Sequence, residues 1–256
     1  MGGALAWGLA QGTIVREEDI WVSNPGEGKL KALQEACPRM HVTTDNRMCI
    51  KGADVIVLAV KPWKLDDVIQ EIRPEIDEGR QTVCSMVGGV GLELLQAKFA
   101  PLVLPLYYLI PNTAIARRES MTFMASANST AETNRFLLNV FRELGDAMLV
   151  EERLMNAGMV LASCGIANAL RYVRAATEGG VQLGFRAQDA QHIVAQTLRG
   201  AASLLEAEGA HAEAEIDRVT TPGGLTIRGL NAMEQAGFSN AVIQGLLAAM
   251  PEKGKV

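Results

Sequence analysis

Apolar and polar positions follow two different rhythms in the two parts of this chain. From Ile20 to Val150, short β-rich runs at Ile20–Ser23, Asp54–Val60, Gln81–Ser85, Leu102–Leu109, Met121–Ala125 and Ala147–Val150 alternate with helical patterns such as Glu27–Ala36, Leu65–Ile72 and Thr130–Leu144. That alternation predicts an α/β fold built on a mainly parallel sheet. The run Val55–Val60 is apolar at every position, as a central strand covered on both faces must be, and it ends at Lys61-Pro62, where the chain leaves the sheet. Ligands of such sheets bind beyond the carboxyl ends of the strands. Lys61, Pro62, Gly88, Gly89 and Asn112 all fall at such ends.

After about Glu151 the β signal stops. Ala, Leu and Met recur at three- and four-residue spacing from Asn156 through Leu205 and again from Leu225 to Met250, which predicts a second, all-helical domain. Its first long helix carries Ala162, Ala167, Ala169, Ala175, Ala176 and Gly179-Gly180, small residues that let helices approach closely. So much apolar helical surface, with no sheet of its own to cover, is expected to pack against a second copy of the chain.

Composition narrows the function classes. At 256 residues and 48% hydrophobic content the chain can bury a sizeable core. A net charge of −5, with no block of Lys and Arg, gives no electrostatic footprint for nucleic acid. No apolar stretch approaches the roughly 20 residues that span a bilayer, and no basic, then hydrophobic leader opens the chain, so the expected compartment is the cytoplasm. Cys37, Cys49, Cys84 and Cys164 lie far apart, with three histidines in the whole chain, and no metal site is expected. Cys84 ends an apolar run and Cys164 lies in an apolar helix, where reduced core thiols are expected.

The most chemically pointed stretch is Val219-Thr220-Thr221-Pro222-Gly223-Gly224-Leu225-Thr226-Ile227-Arg228-Gly229-Leu230. Pro222 fixes one φ angle, and the two glycines allow backbone geometry and a close ligand approach that a Cβ would forbid. A helix is predicted over Leu225–Gln235, and the free N–H groups of its first turn favour a carboxylate or phosphate. Thr221 and Thr226 add hydroxyls. Standing alone, the run also reads as a capped helix with a Gly-rich lead.

With its neighbours it resembles the signature of the pyrroline-5-carboxylate reductases, in which Val, a small residue and Ser or Thr precede Pro-Gly-Gly-x-Thr and a helix. Thr221 takes the Ser/Thr position, Leu225 the variable one and Thr226 the closing threonine. His211 and Asp217 fit the family's lead-in, with Ala212 where a proline is usual. Ala59-Val60-Lys61-Pro62, Pro111-Asn112-Thr113 and Ser163-Cys164-Gly165-Ile166-Ala167 match further blocks in family order. The resemblance implies a Rossmann-like dinucleotide-binding domain over residues 1–153, followed by an all-helical dimerisation and substrate-binding domain over 154–256. It implies a homodimer, able to assemble further, that reduces 1-pyrroline-5-carboxylate to L-proline.

The family's cofactor loop reads Gly-x-Gly-Asn-Met-Gly-x-Ala, whose end Met1 and Gly2 match. The strand and first glycines that should precede it are not in the numbered sequence. Without that central strand, the Val22 and Val55 strands lack their shared neighbour, so the numbering is expected to start at an internal methionine. At the end of the next strand, where an NAD enzyme places Asp or Glu against the ribose 2′-OH, stand Ser23 and Asn24 with Lys29 a turn later. Neutral donors and a nearby cation suit a 2′-phosphate, so NADPH is the expected cofactor and NADH a second one. Asn46 matches a family position on the adenosine side, and it also reads simply as the first part of a short helix.

The resemblance further implies roles. Gly223, Gly224, Leu225 and Thr221 would hold the substrate carboxylate, and Thr226 would donate to the ring nitrogen as electron density reaches it. The cofactor would lie along Met1, Gly2, Ser23, Asn24, Asn46, Ala59, Val60, Lys61, Pro62, Gly88 and Asn112. Tyr108 stands where the family has arginine, Ala114 where it has proline and Asn168 where an aromatic is expected. Two other readings stay open here. One is a related imine or hydroxyacid dehydrogenase, although Gly165–Arg174 has no lysine of the kind the hydroxyacid group requires. The other is a non-catalytic dimeric binding or scaffolding protein.

Overall fold

The computed structural model describes residues 1–251, which divide into two compact units, Met1–Ser163 and Cys164–Ala249, with Met250 grouped with the first. The first unit runs α1 (Gly2–Ala10), β1 (Trp21–Ser23), α2 (Glu27–Ala36), β2 (His41–Thr43), α3 (Asn46–Ile50), β3 (Val55–Leu58), α4 (Leu65–Ile72), β4 (Thr82–Ser85), α5 (Leu92–Phe99), β5 (Leu106–Ile110), β6 (Ser120–Ala127), α6 (Ala131–Arg142) and β7 (Gly145–Leu149). It ends in α7 (Met155–Gly158) and a π-helical turn, Met159–Cys164, that feeds the next helix. The second unit is α8 (Gly165–Gln182), α9 (Ala187–Leu204), α10 (Ala212–Val219), α11 (Leu225–Gln235) and α12 (Phe238–Ala248). This is the expected α/β architecture followed by helices.

β1 and β2 form a parallel pair, and β3-β4-β5-β6-β7 form a five-stranded sheet that is parallel except between β5 and β6. No ladder joins β1 to β3, so the Val22 and Val55 strands share no partner, as the sequence led one to expect. α1 spans the two sheets instead. Leu5 enters the cluster around Tyr107, Met124 and Phe141, while Ala6 enters the smaller one formed by Ile20, Cys37 and Met40. A third cluster, around Leu95, Phe99, Leu106 and Ile72, joins α4 and α5 to the five-stranded sheet. Both faces of that sheet are therefore covered, which accounts for the unbroken apolar runs of its inner strands.

Two expected strands are shorter than their apolar patterns. The run from Leu102 becomes regular at Leu106, because Pro105 has no N–H for the ladder and contributes its carbonyl alone, to the Val83 amide at 2.9 Å. The Asp54–Val60 run ends at Leu58, from which Ala59 and Val60 lead into the turn at Lys61.

The turn after α1 is tied down by a distant carboxylate. Glu143 accepts from the Thr13 and Ile14 amides at 2.8 and 3.1 Å and from the Thr13 hydroxyl, and Arg118 donates to the Glu143 and Gln11 carbonyls. Burial works against ionisation of Glu143, but the hydrogen bonds from Thr13 and Ile14, with Arg118 nearby, hold the carboxyl below its ordinary 4.5. A lowered folded pKa means that this anchor is complete above the ordinary carboxylate range and is lost as pH falls through the folded value. Glu143→Gln is expected to lower Tm by about 4 °C at pH 7, because its amide cannot accept from all three donors, and by much less at pH 3. Thermal melts of both proteins at the two pH values check this.

Candidate functional site

The carboxyl ends of the parallel strands bring most of the expected cofactor residues to one rim of the first unit. Ser23 closes β1 and Asn24 follows it, while Asn46 begins α3 just after β2. Ala59 through Pro62 follow β3, Gly88 follows β4, and Asn112 follows β5. Met1 is the N-cap of α1, and no side chain caps the amides of that helix's first turn. Gly2 lets the turn approach β3: a Cβ there would stand 2.9 Å from the Ala59 Cβ, inside van der Waals contact.

A helix start with uncapped amides fits the pyrophosphate of a dinucleotide, and the hydroxyl and amide side chains at the next strand ends lie where its ribose is read, with their donors already engaged inside the protein. Beyond β3, Lys61 is exposed, with Nζ 6.0 Å from the centroid of the Trp63 ring, and Trp63 is itself 74% exposed. Those are a free cation and a flat apolar surface at the same turn.

Four of the rim residues are bound up in local structure, Asn24 through its Nδ2, which donates to the Gly26 carbonyl at 2.8 Å. The Asn112 side chain accepts from the Ala114 amide at 2.9 Å and donates toward the Ala162 carbonyl at 3.4 Å, holding the 3-10 turn Thr113–Arg117 and the π-helical turn. Asn46 is the first residue of α3, which Asp45 caps, and its side-chain amide faces Ser23. The Ser23 hydroxyl donates to Asn46 Oδ1 at 2.6 Å, and Asn46 Nδ2 donates to Glu71 Oε2 at 2.8 Å.

Glu71 is a residue that sequence reasoning missed. It lies near the end of α4 and belongs to no motif. Glu152 is another, accepting from the Leu92 amide at 2.6 Å and so capping α5 across sixty residues of chain. Tyr108, in the arginine position of the resemblance, is buried. Burial raises its phenol, and the Gly89 amide and the neighbouring Glu152 act on it in opposite directions.

The second unit presents the expected turn. Gly224 N donates to the Thr221 carbonyl at 2.9 Å, with Pro222 and Gly223 between them and Gly223 at φ 68°. That is a type II turn, whose third position requires a positive φ and whose second suits proline. Gly224 then caps α11 with extended backbone and no side-chain acceptor, which leaves the Leu225, Thr226 and Ile227 amides free. A Cβ on Gly224 would collide with the Thr221 hydroxyl. Thr221, Leu225 and Thr226 are exposed, Leu225 at 81%.

Among the described residues no group of His, Cys, Asp and Glu could hold a metal ion. All four cysteines are unpaired, and Cys84, fully buried in β4, has its thiol pushed far up by burial. An open groove of about 760 Å³ on the first unit, lined by Gln96, Ser126, Leu149, Glu151 and Glu152 among others, contains none of the expected site residues. Its carboxylates suit no phosphate.

Residues 152–255 match the family described as pyrroline-5-carboxylate reductase dimerisation, and residues 1–89 match the family described as NADP oxidoreductase, coenzyme F420-dependent. A pyrroline-5-carboxylate reductase from Methanosarcina acetivorans is 34% identical over 95% of this chain and 91% of its own. Pyrroline-5-carboxylate reductase 1 of Dictyostelium discoideum is 34% identical over 97% of this chain, which spans 47% of that longer protein. Among solved structures, a Plasmodium falciparum pyrroline carboxylate reductase with NADP bound shares the fold, with a TM-score of 0.83 at 23% identity over 98% of this chain and 92% of that one.

Proposed function

Because the chain belongs to the pyrroline-5-carboxylate reductase family, we propose that it reduces 1-pyrroline-5-carboxylate to L-proline with NADPH, the last step of proline biosynthesis, and accepts NADH as a second donor. The observation that carries this reading is the type II turn running into the uncapped start of α11. It offers three free amides to a carboxylate and sets the Thr226 hydroxyl one residue into the helix.

Bound cofactor supplies a hydride to the imine carbon. The chain binds and orients. The turn at Gly223 and Gly224 lets the substrate carboxylate approach the start of α11, where the free Leu225, Thr226 and Ile227 amides hold it, assisted by the Thr221 hydroxyl. Thr226 donates a hydrogen bond to the ring nitrogen as the C=N bond becomes a C–N bond and electron density moves onto it. The proton that completes the amine comes from solvent or is already on the imine. On the other unit Met1 and Gly2 hold the pyrophosphate, Ser23, Asn24 and Asn46 hold the adenosine ribose, and Ala59–Pro62, Gly88 and Asn112 border the remaining length. Residues 1–153 thus take the cofactor, and 154–256 the substrate and the pairing of subunits.

The chain pairs as a homodimer through its helical unit, and we infer that dimers assemble further. No helix among the described residues is long and apolar enough to cross a membrane. Four free thiols suit a reducing compartment, and we place the protein in the cytoplasm.

Purified protein is expected to oxidise NADPH when 1-pyrroline-5-carboxylate is added, forming proline, and to do so faster than with NADH. Steady-state absorbance at both cofactors, with proline quantified at the end, is the test. Absence of imine-dependent oxidation with either would overturn the function, while a clear NADH preference would overturn the cofactor assignment alone.

A further inference from the structure

The Ser23–Asn46–Glu71 chain has a definite polarity. An ionised carboxylate only accepts hydrogen bonds, so the Asn46 group that meets Glu71 Oε2 at 2.8 Å is its NH2. The Asn46 carbonyl oxygen then faces Ser23, and because it too can only accept, the Ser23 hydroxyl proton points to it at 2.6 Å. The nearby Cys49 thiol is pushed up by burial, and a neutral thiol is a weak acceptor, so it does not draw that proton from Asn46. Ser23 is left to meet a ligand through its lone pairs. Arg47 Nε holds the Glu71 backbone carbonyl at 3.1 Å, which fixes α4 against α3 at this point.

Ser23 closes β1, where dinucleotide folds read the ribose 2′ position. A free 2′-OH donates readily to an acceptor, whereas a 2′-phosphate is itself an acceptor and needs donors. We propose that Glu71 is a positioning residue for cofactor selectivity: acting through Asn46, it turns Ser23 into an acceptor, supports binding of an unphosphorylated ribose and thereby limits the preference for NADPH over NADH. The inference rests on the dinucleotide reading of this rim. It adds a residue that touches no cofactor atom and a direction of effect.

With Glu71→Gln, the side chain can donate as well as accept, so the Asn46 amide can turn over, offer its NH2 to Ser23 and free the Ser23 proton for phosphate. Dissociation constants for NADPH and NADH, measured by nucleotide fluorescence without imine, give the readout independently of turnover. The ratio Kd(NADH)/Kd(NADPH) is expected to rise about fivefold to tenfold in Glu71→Gln, the size of one charge-assisted hydrogen bond. In a Ser23→Ala background the same substitution should move the ratio less than about twofold. That contrast separates proton direction from simple loss of a negative charge.

An unchanged ratio in Glu71→Gln, or an equal rise with and without the Ser23 hydroxyl, overturns the inference while leaving the function intact. Failure of the wild-type protein to bind either nucleotide overturns the dinucleotide reading and the inference with it.

Discussion

Thr226→Val is expected to lower kcat by about tenfold or more, with a smaller change in KM, because it removes a donor that matters most once the ring nitrogen gains electron density and leaves the carboxylate cradle in place. The substitution is close to isosteric. Its structural cost should be small, since the Thr226 side chain is exposed and makes no hydrogen bond among the described residues. Thr177 and Thr197 differ, their hydroxyls donating to the carbonyls of Val173 and Ile193. Thr221→Val provides the contrast: its hydroxyl lies over the turn beside Gly224, so its loss should raise KM severalfold and leave kcat nearly unchanged. Steady-state kinetics with saturating NADPH, beside thermal melts, separate the cases. A Thr226→Val protein with wild-type kcat would reduce that hydroxyl to an ornament of the helix start.

That turn could be read from the sequence because its chemistry is local. Pro222 and Gly223 are the residue types a type II turn demands at successive positions, and the helix that follows begins where expected, at Leu225. The helices Glu27–Ala36 and Leu65–Ile72 likewise have the bounds that their periodicity predicts. Elements too short to show a period were missed. β2 is three residues, His41–Thr43, and is defined by its register with β1, Val42 opposite Val22, more than by its composition. α5 has a weakly segregated face and went unassigned, though Leu92, Leu95 and Phe99 bury it securely.

The acidic residues that tie distant segments together, Glu71 at the rim among them, were invisible for a different reason. Glu71 meets Asn46 across 25 positions, Glu152 meets Leu92 across 60 and Glu143 meets Thr13 across 130. Each lies on an ordinary polar stretch, and no spacing rule links it to its partner. A carboxylate that caps a distant turn becomes recognisable after the strands have set the two segments side by side. The site's backbone cradles were therefore readable one segment at a time, whereas the side chains that orient them required the tertiary structure.

The largest loss is expected from charge placed on the helical unit. Of the residues in α8 through α12, Ala190 alone is buried. Leu170 is 61% exposed, Leu183 83% and Leu247 61%, with Val181, Phe185, Ile193, Val242 and Ile243 also open to solvent. Five helices with that much bare hydrocarbon do not enclose a core of their own, and at roughly 25 cal/mol per Å² the exposed area is a strong drive toward association. A second copy of the chain is the occupant that the dimerisation match indicates, and such an interface should bury more than about 2,000 Å² and be predominantly apolar. A carboxylate forced into it without a partner costs several kcal/mol at each of its two symmetry-related positions. Leu170→Glu combined with Leu247→Glu should therefore shift the protein from dimer to monomer at micromolar concentration and reduce activity to below about 1% of wild type. Sedimentation velocity and turnover, measured on the same samples, test both outcomes. A wild-type protein that stays monomeric, folded and fully active on dilution would mean that the helices close on their own chain and that one subunit holds a complete site.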